Sequence, residues 1–263
     1  MNRGQYLPGN SPMHRMDARV KLLSFLLLTV AIVLCDNVPT YALCTAACAA
    51  AGILTKLPPK VLFESVLRIG WFFLLIFVLN ALFFDTKDAF WRWGPVCLSL
   101  GGIYQGINVV LRIVLILTLS TGLTRTTPPM ALISAIECLL SPLRFLGIRV
   151  ENVAVILSAA IQFIPTISEE VETIRKAQIA RGARFESKKL TQRAAAMLPL
   201  LVPVFLSSFQ RADELATAME ARGYRGAKHR TKRARLPIPL SGWLTVTVCS
   251  LTLALTVFLH IYF

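Results

Sequence analysis

Two short strings in the second half of the chain set a single arginine at what reads as the end of a helix. Ala177-Gln178-Ile179-Ala180-Arg181-Gly182 and Ala218-Met219-Glu220-Ala221-Arg222-Gly223 share the pattern A-x-x-A-R-G. Glycine just past a last turn is the preferred helix stop, because it takes the left-handed conformation without steric cost. Arginine in that turn is favoured by the negative end of the helix dipole, by roughly 0.3 to 1 kcal/mol when exposed. Capping alone would account for one such string. Duplication asks for more, and so does the placement of each arginine on the apolar stripe of its helix, seven residues after Ile174 and Leu215 respectively. Ala180 and Ala221 keep both ends narrow. A narrow tip carrying one guanidinium can enter a groove and pair bidentately with a carboxylate. Two such tips suit a partner with two similar grooves, such as a homodimer or a pseudo-symmetric heterodimer.

Other chemistry finds little support. Cys35, Cys44, Cys48, Cys97, Cys138 and Cys249 lie in or beside apolar runs without a CxxC pair, and read as small buried hydrophobes. His14, His229 and His260 have no second ligand at helical spacing, so the sequence gives no metal site. Glu169, Glu170 and Glu172 precede Arg175 and Lys176 in a charge-rich turn, where Glu172 and Lys176 form a helix-supporting pair. No catalytic constellation completes these carboxylates. The glycine-rich lysine loop that cradles nucleotide phosphates is absent, so any ATP must be hydrolysed on another chain. The rival from a different class, an integral-membrane enzyme with interfacial metal-binding acids, would have to rest on Asp85 and Asp88 alone.

The elements that hold these tips follow from composition. Of 263 residues, 55% are hydrophobic and only 16% charged, against about 25% charged in soluble domains. The net charge of +14 would fit a nucleic-acid binder, but the basic residues fall in blocks between long uncharged runs. That pattern belongs to a multi-pass membrane protein with basic cytoplasmic faces, and nucleic acid is not an expected partner. About five spans are expected: Leu22 to Cys35, Tyr41 to Leu54, Ile69 to Phe84, Pro95 to Leu123, and Leu240 to Phe263. A turn at Asp36-Asn37-Val38-Pro39 separates the first two, with Arg19, Lys21 and Lys56 expected to snorkel at their ends. A cleaved signal peptide is the weaker reading of the first span, because its lead-in is long and rich in turn formers. Trp91 and Trp93 read as interfacial anchors, and Arg112, inside the fourth span, as a structural group beside Gln105 and Asn108.

The fold class is therefore all-α, with residues 1–124 a four-span membrane domain, 125–239 a cytoplasmic region of long amphipathic helices, and 240–263 a last span. In the middle region the apolar runs Val153 to Ile164 and Ala194 to Leu206 are too short to cross a bilayer. Pro165 ends the first and Pro199 and Pro203 interrupt the second, so each arginine-tipped helix is expected to start after a proline, and the three prolines to act as kinks. With the N-terminus inside, the outer loops hold only Lys87 and Arg92, which puts the C-terminus outside the cell. The basic run Arg222, Arg225, Lys228, Arg230, Lys232, Arg233 and Arg235 leads into the last span, and anionic lipid headgroups are its expected partner.

With these features in place the chain resembles the transmembrane T component (EcfT) of energy-coupling factor transporters, the ABC-type importers of vitamins and trace metals. The resemblance runs nearly end to end. It rests on Tyr6-Leu7-Pro8-Gly9-Asn10-Ser11 with His14-Arg15-Met16-Asp17, Leu111-Arg112, Thr126-Thr127-Pro128 and both Ala-Arg-Gly ends. Pro129 departs from the more usual Thr-Thr-Ser-Pro. The resemblance implies that Ala180, Arg181, Gly182, Ala221, Arg222 and Gly223 dock into two ATPase subunits, which hold ATP and magnesium, while the remainder holds a substrate-binding membrane S component. It implies no cofactor on this chain. The N-terminal string is closer to the shared type of T component than to one dedicated to cobalt, nickel or biotin uptake.

Overall fold

The computed structural model describes residues 9, 11–55, 64, 66–84, 89–93, 96–142, 150–183, 185–187, 189–224, 226 and 239–262. Within them the chain is helical apart from one hairpin. The helices are α1 (Pro12–Arg15), α2 (Ala18–Val33), α3 (Val38–Thr55), α4 (Gly70–Phe83), α5 (Leu100–Thr126), α6 (Pro129–Leu139), α7 (Val150–Ala180), α8 (Leu190–Ala221) and α9 (Leu240–Tyr262). Two compact units emerge, Asn2–Ile136 with Pro237–Phe263, and Glu137–Leu236.

The first unit is a membrane bundle built on α5. The N-terminal string supplies its first two caps: the Ser11 hydroxyl accepts from the backbone N–H of His14 at the head of α1, and the Asp17 carboxylate accepts from that of Arg19 at the head of α2. Helices α2 and α3 form the expected hairpin, and α9 packs against both. Leu28, Ala31, Ile32 and Cys35 of α2 and its end meet Tyr41, Cys44 and Cys48 of α3, Leu115 and Leu119 of α5, and Cys249 of α9 in one core. Four of the cysteines are buried there as small apolar groups. In lipid such packing is held by close contact more than by a hydrophobic drive, so small side chains matter. At Gly102 of α5 a Cβ would come within 3.0 Å of the Asn80 carbonyl, and only glycine lets α4 approach so near.

Two expectations for this unit need correction. The fourth span does not run as a helix from Pro95: Val96–Ser99 is a strand (β2) paired antiparallel with Ala89–Trp93 (β1), in register Trp91 to Leu98 and Trp93 to Val96. Aromatic and β-branched residues favour the pairing, and Gly94 and Pro95 stand between the strands in sequence. The Ser99 hydroxyl then accepts from the Gly102 N–H and starts α5. Lys21 does not snorkel. It is 3% exposed, and its ammonium donates to the Thr126 carbonyl at 3.0 Å and toward the Thr127 hydroxyl, satisfying the C-terminal end of α5.

The second unit holds α7 and α8, which touch each other over a short stretch. Pro165 lies inside α7, and Pro199 and Pro203 inside α8, so neither helix starts after its proline. A proline costs one backbone bond and a local clash, which helices of this length absorb without stopping. Among the described residues four helices are long and apolar enough to cross a membrane: Val38–Thr55, Leu100–Thr126, Leu240–Tyr262 and, against the expectation of a run too short to cross, Asn152–Ala180, because α7 continues through Pro165. Gly70–Phe83 and Ala18–Val33 are shorter. Lys56, Lys60, Asp85, Lys87, Asp88, Tyr6 to Pro8, Asn10 and the basic run from Arg225 to Arg235 lie outside the described residues.

Candidate functional site

Both arginine tips close with the same hydrogen-bond pattern. At the end of α7 the Gly182 N–H donates to the Ile179 carbonyl at 2.9 Å, and the Ala183 N–H reaches back to Gln178 at 3.0 Å. At the end of α8 the Gly223 N–H donates to Glu220 at 2.8 Å, and the Tyr224 N–H to Met219 at 2.9 Å. This paired return defines a Schellman cap, with the glycine in the left-handed region and the arginine as the last residue before it. Gly182 and Gly223 have φ of +89° and +74°, values that side chains with a Cβ rarely adopt. Among the described residues nothing lies within 4 Å of where a Cβ would sit, so it is the backbone geometry that calls for glycine at these positions.

Ala180, Arg181 and Gly182, like Ala221, Arg222 and Gly223, are exposed. Among the described residues neither guanidinium has an ion pair or side-chain hydrogen bond. Five donors in a rigid fork stand at the end of a backbone whose direction is fixed, which suits insertion into an acidic groove. Beside the first tip lies a cleft of about 470 Å³ lined by Arg175, Ile179, Ala183, Phe185, Glu186 and Ser187. Arg175 bridges Glu172 at 3.7 Å and Glu186 at 4.0 Å, tying the segment after the tip to its helix.

The two helices are joined behind the tips. The Arg211 guanidinium of α8 donates to the Glu170 carboxylate of α7 at 2.8 Å, and its Nε points to the Ser207 hydroxyl at 3.4 Å. Beyond this contact, α7 and α8 carry exposed apolar faces, among them Ile156, Ile164, Leu198, Phe205 and Phe209. The prolines at 165, 199 and 203 sit in these apolar halves, away from the tips.

Arg112 has partners other than the Gln105 and Asn108 side chains. It donates to the Cys35 carbonyl and to Asp36 at the turn between α2 and α3, 3.2 Å from that carboxylate. His260 of α9 approaches the same carboxylate at 3.2 Å, and Tyr104 donates to the Asp36 carbonyl. From Lys21 to Cys35 and from Arg112 to Thr126 the two helices run equal lengths of about 21 Å, so Arg112 and Lys21 fasten opposite ends of α2 to α5.

The chain is similar to known proteins over most of its length. The family model described as "Cobalt transport protein" (CbiQ) matches residues 9–233. An energy-coupling factor transporter transmembrane protein EcfT from Acidaminococcus fermentans is 39% identical over 257 residues, covering 98% of this chain and 96% of its own. EcfT of Bacillus subtilis is 41% identical over 233 residues, 89% of this chain and 88% of that one, and EcfT of Limosilactobacillus fermentum is 39% identical with coverage of 89% and 87%. The chain belongs to the EcfT family.

As a member of that family it is a membrane protein and the T component of an energy-coupling factor transporter. Sequence reasoning found both tips but missed the contact of Glu170 with Arg211 and the cluster at Asp36. The first carried a signal, since Glu170 and Arg211 are separated by the same 41 residues as Arg181 and Arg222. The second joins three distant helices and left no spacing to read.

Proposed function

We propose that this T component transmits the motions of two ATPase subunits to a substrate-binding membrane S component. Arg181 and Arg222, presented by Ala180 with Gly182 and by Ala221 with Gly223, each enter one ATPase groove. ATP and magnesium are bound by those subunits, and this chain supplies no cofactor and no catalytic group. Closure of the ATPase pair on ATP moves the two grooves, and rigid helices tipped in those grooves carry the motion as a rigid-body shift. The exposed apolar faces of α7 and α8 would be covered by the S component, with Pro165, Pro199 and Pro203 setting the local bend of each helix. The N-terminus is cytoplasmic and the C-terminus extracellular, and the basic run before α9 lies against anionic lipid.

The observation that carries this reading is the pair of matched arginine caps whose guanidinium groups are exposed and, among the described residues, unpaired. Its test is the double variant Arg181→Ala/Arg222→Ala in the assembled transporter. Removing one partner of a desolvated charge pair costs about 2 to 5 kcal/mol, so the ATPase subunits should no longer co-purify while membrane insertion persists. Co-purification in ordinary amounts would defeat it. The N-terminal string favours a T component shared among several S components. The cobalt named in the description of the family model favours the second reading, a dedicated importer. Mass spectrometry of the purified complex separates them: several different small membrane subunits mark a shared module, and one marks a dedicated importer.

A further inference from the structure

Glu170 and Arg211 occupy the same place in the two copies of the repeated helix end. Each stands eleven residues before its tip arginine, and the separation between them is the 41 residues that relate Arg181 to Arg222. In two elements related by a two-fold axis, a residue that meets its own counterpart lies at the axis. Identical charged residues would repel there, whereas this pair has opposite charges and a bond of 2.8 Å.

We propose that Glu170 and Arg211 form the pivot of a two-fold-related pair of levers, a positioning pair that holds both arginine tips at equal reach from one crossing point. The reach is about 16 Å along each helix. Both side chains are half-buried at the contact, and Ser207 steadies the second edge of the guanidinium from one turn earlier in α8. Among the described residues, the ion pairs of Glu172 with Arg175 and Lys176, and of Arg175 with Glu186, are local to α7 or to the segment after it. They stiffen a lever but do not join two. Equal arms about one charged contact convert a change in separation of two ATPase grooves into a symmetric scissoring of α7 against α8.

This inference rests on the docking reading, and its test separates the two. Spin labels at Ala177→Cys and Ala218→Cys, equivalent exposed positions one turn before the tips, report the distance between arms in the assembled complex, with Cys97 and Cys138 replaced by serine. Glu170→Gln, Glu170→Arg and Arg211→Glu should each broaden the distance distribution by about twofold, and the swap Glu170→Arg/Arg211→Glu should restore it, as a direct pairwise interaction requires. A merely stabilising contact would lower the melting temperature and leave the width unchanged. Unchanged width in the single variants, or a swap that fails to restore it, overturns the pivot even where the ATPase subunits still co-purify. Co-purification that survives Arg181→Ala/Arg222→Ala overturns the docking reading itself.

Discussion

The membrane bundle and the α7–α8 pair spend their apolar residues in opposite ways. In the bundle, Ala31, Ile32, Cys35 and Cys44 are wholly enclosed, and the charged groups Lys21 and Arg112 are turned inward to fasten helix ends. In α7 and α8 the buried apolar residues among those described are Val150, Ala154 and Ala196, all near the helix starts, while Phe205 and Phe209 stand 60% and 67% exposed. One unit encloses a core of its own, with Trp71, Leu251 and Ile261 among the apolar residues it leaves exposed. The other leaves large apolar faces and two cationic tips for surfaces that belong to other chains, which is how a part built for assembly differs from one built for anchorage.

The sharpest way to break this contrast is a matched pair of truncations. Leu115→Ala in the bundle core removes packing that the neighbours cannot refill, at a cost of about 2 to 5 kcal/mol. Phe205→Ala with Phe209→Ala should change the stability of the isolated chain by less than about 0.5 kcal/mol per site and yet weaken retention of the membrane partner. Thermal unfolding in detergent reads the first, and subunit recovery reads the second. Equal destabilisation by both would mean that α8 packs within its own chain. A smaller effect is expected from Arg112→Leu, which removes a donor from the Cys35 carbonyl and one from Asp36, beside which His260 remains, and costs about 1 to 3 kcal/mol. That loss should appear in bundle stability and leave ATPase recovery unaltered. Gly182→Val and Gly223→Val each force a side chain into the left-handed region, at about 1 to 2 kcal/mol. Asparagine, which tolerates that region, should retain most docking at both positions when ATPase binding is titrated.

The arginine tips were legible in the sequence because a helix stop is local: glycine for φ, arginine before it, a stripe behind it. Of the five expected spans, α3, α5 and α9 were legible from hydropathy for the same reason, whereas Ala18–Val33 and Gly70–Phe83 are shorter and the length of α7 was hidden by an apolar run read only as far as Pro165. What the sequence hid were contacts between distant segments. Lys21 sits beside a span in a position that suggests snorkelling, and only the end of α5 arriving at Thr126 gives it a buried acceptor. The hairpin at Ala89–Ser99 was hidden by apolar residues that fit a helix or a strand, and pairing chose the strand. Pro165, Pro199 and Pro203 looked like helix starts because proline breaks marginal helices, and α7 and α8 are long enough to run through them.

The central claim is that each tip is held by a separate ATPase subunit, and photocrosslinking from the residue after each glycine tests it most directly. A photoreactive amino acid at Ala183, and in a second sample at Tyr224, is activated in the assembled transporter and the adducts are identified by mass spectrometry. The account predicts one adduct per position, each with an ATPase subunit and at residues lining an acidic groove. Adducts with lipid, or with this chain itself, at either position would contradict it.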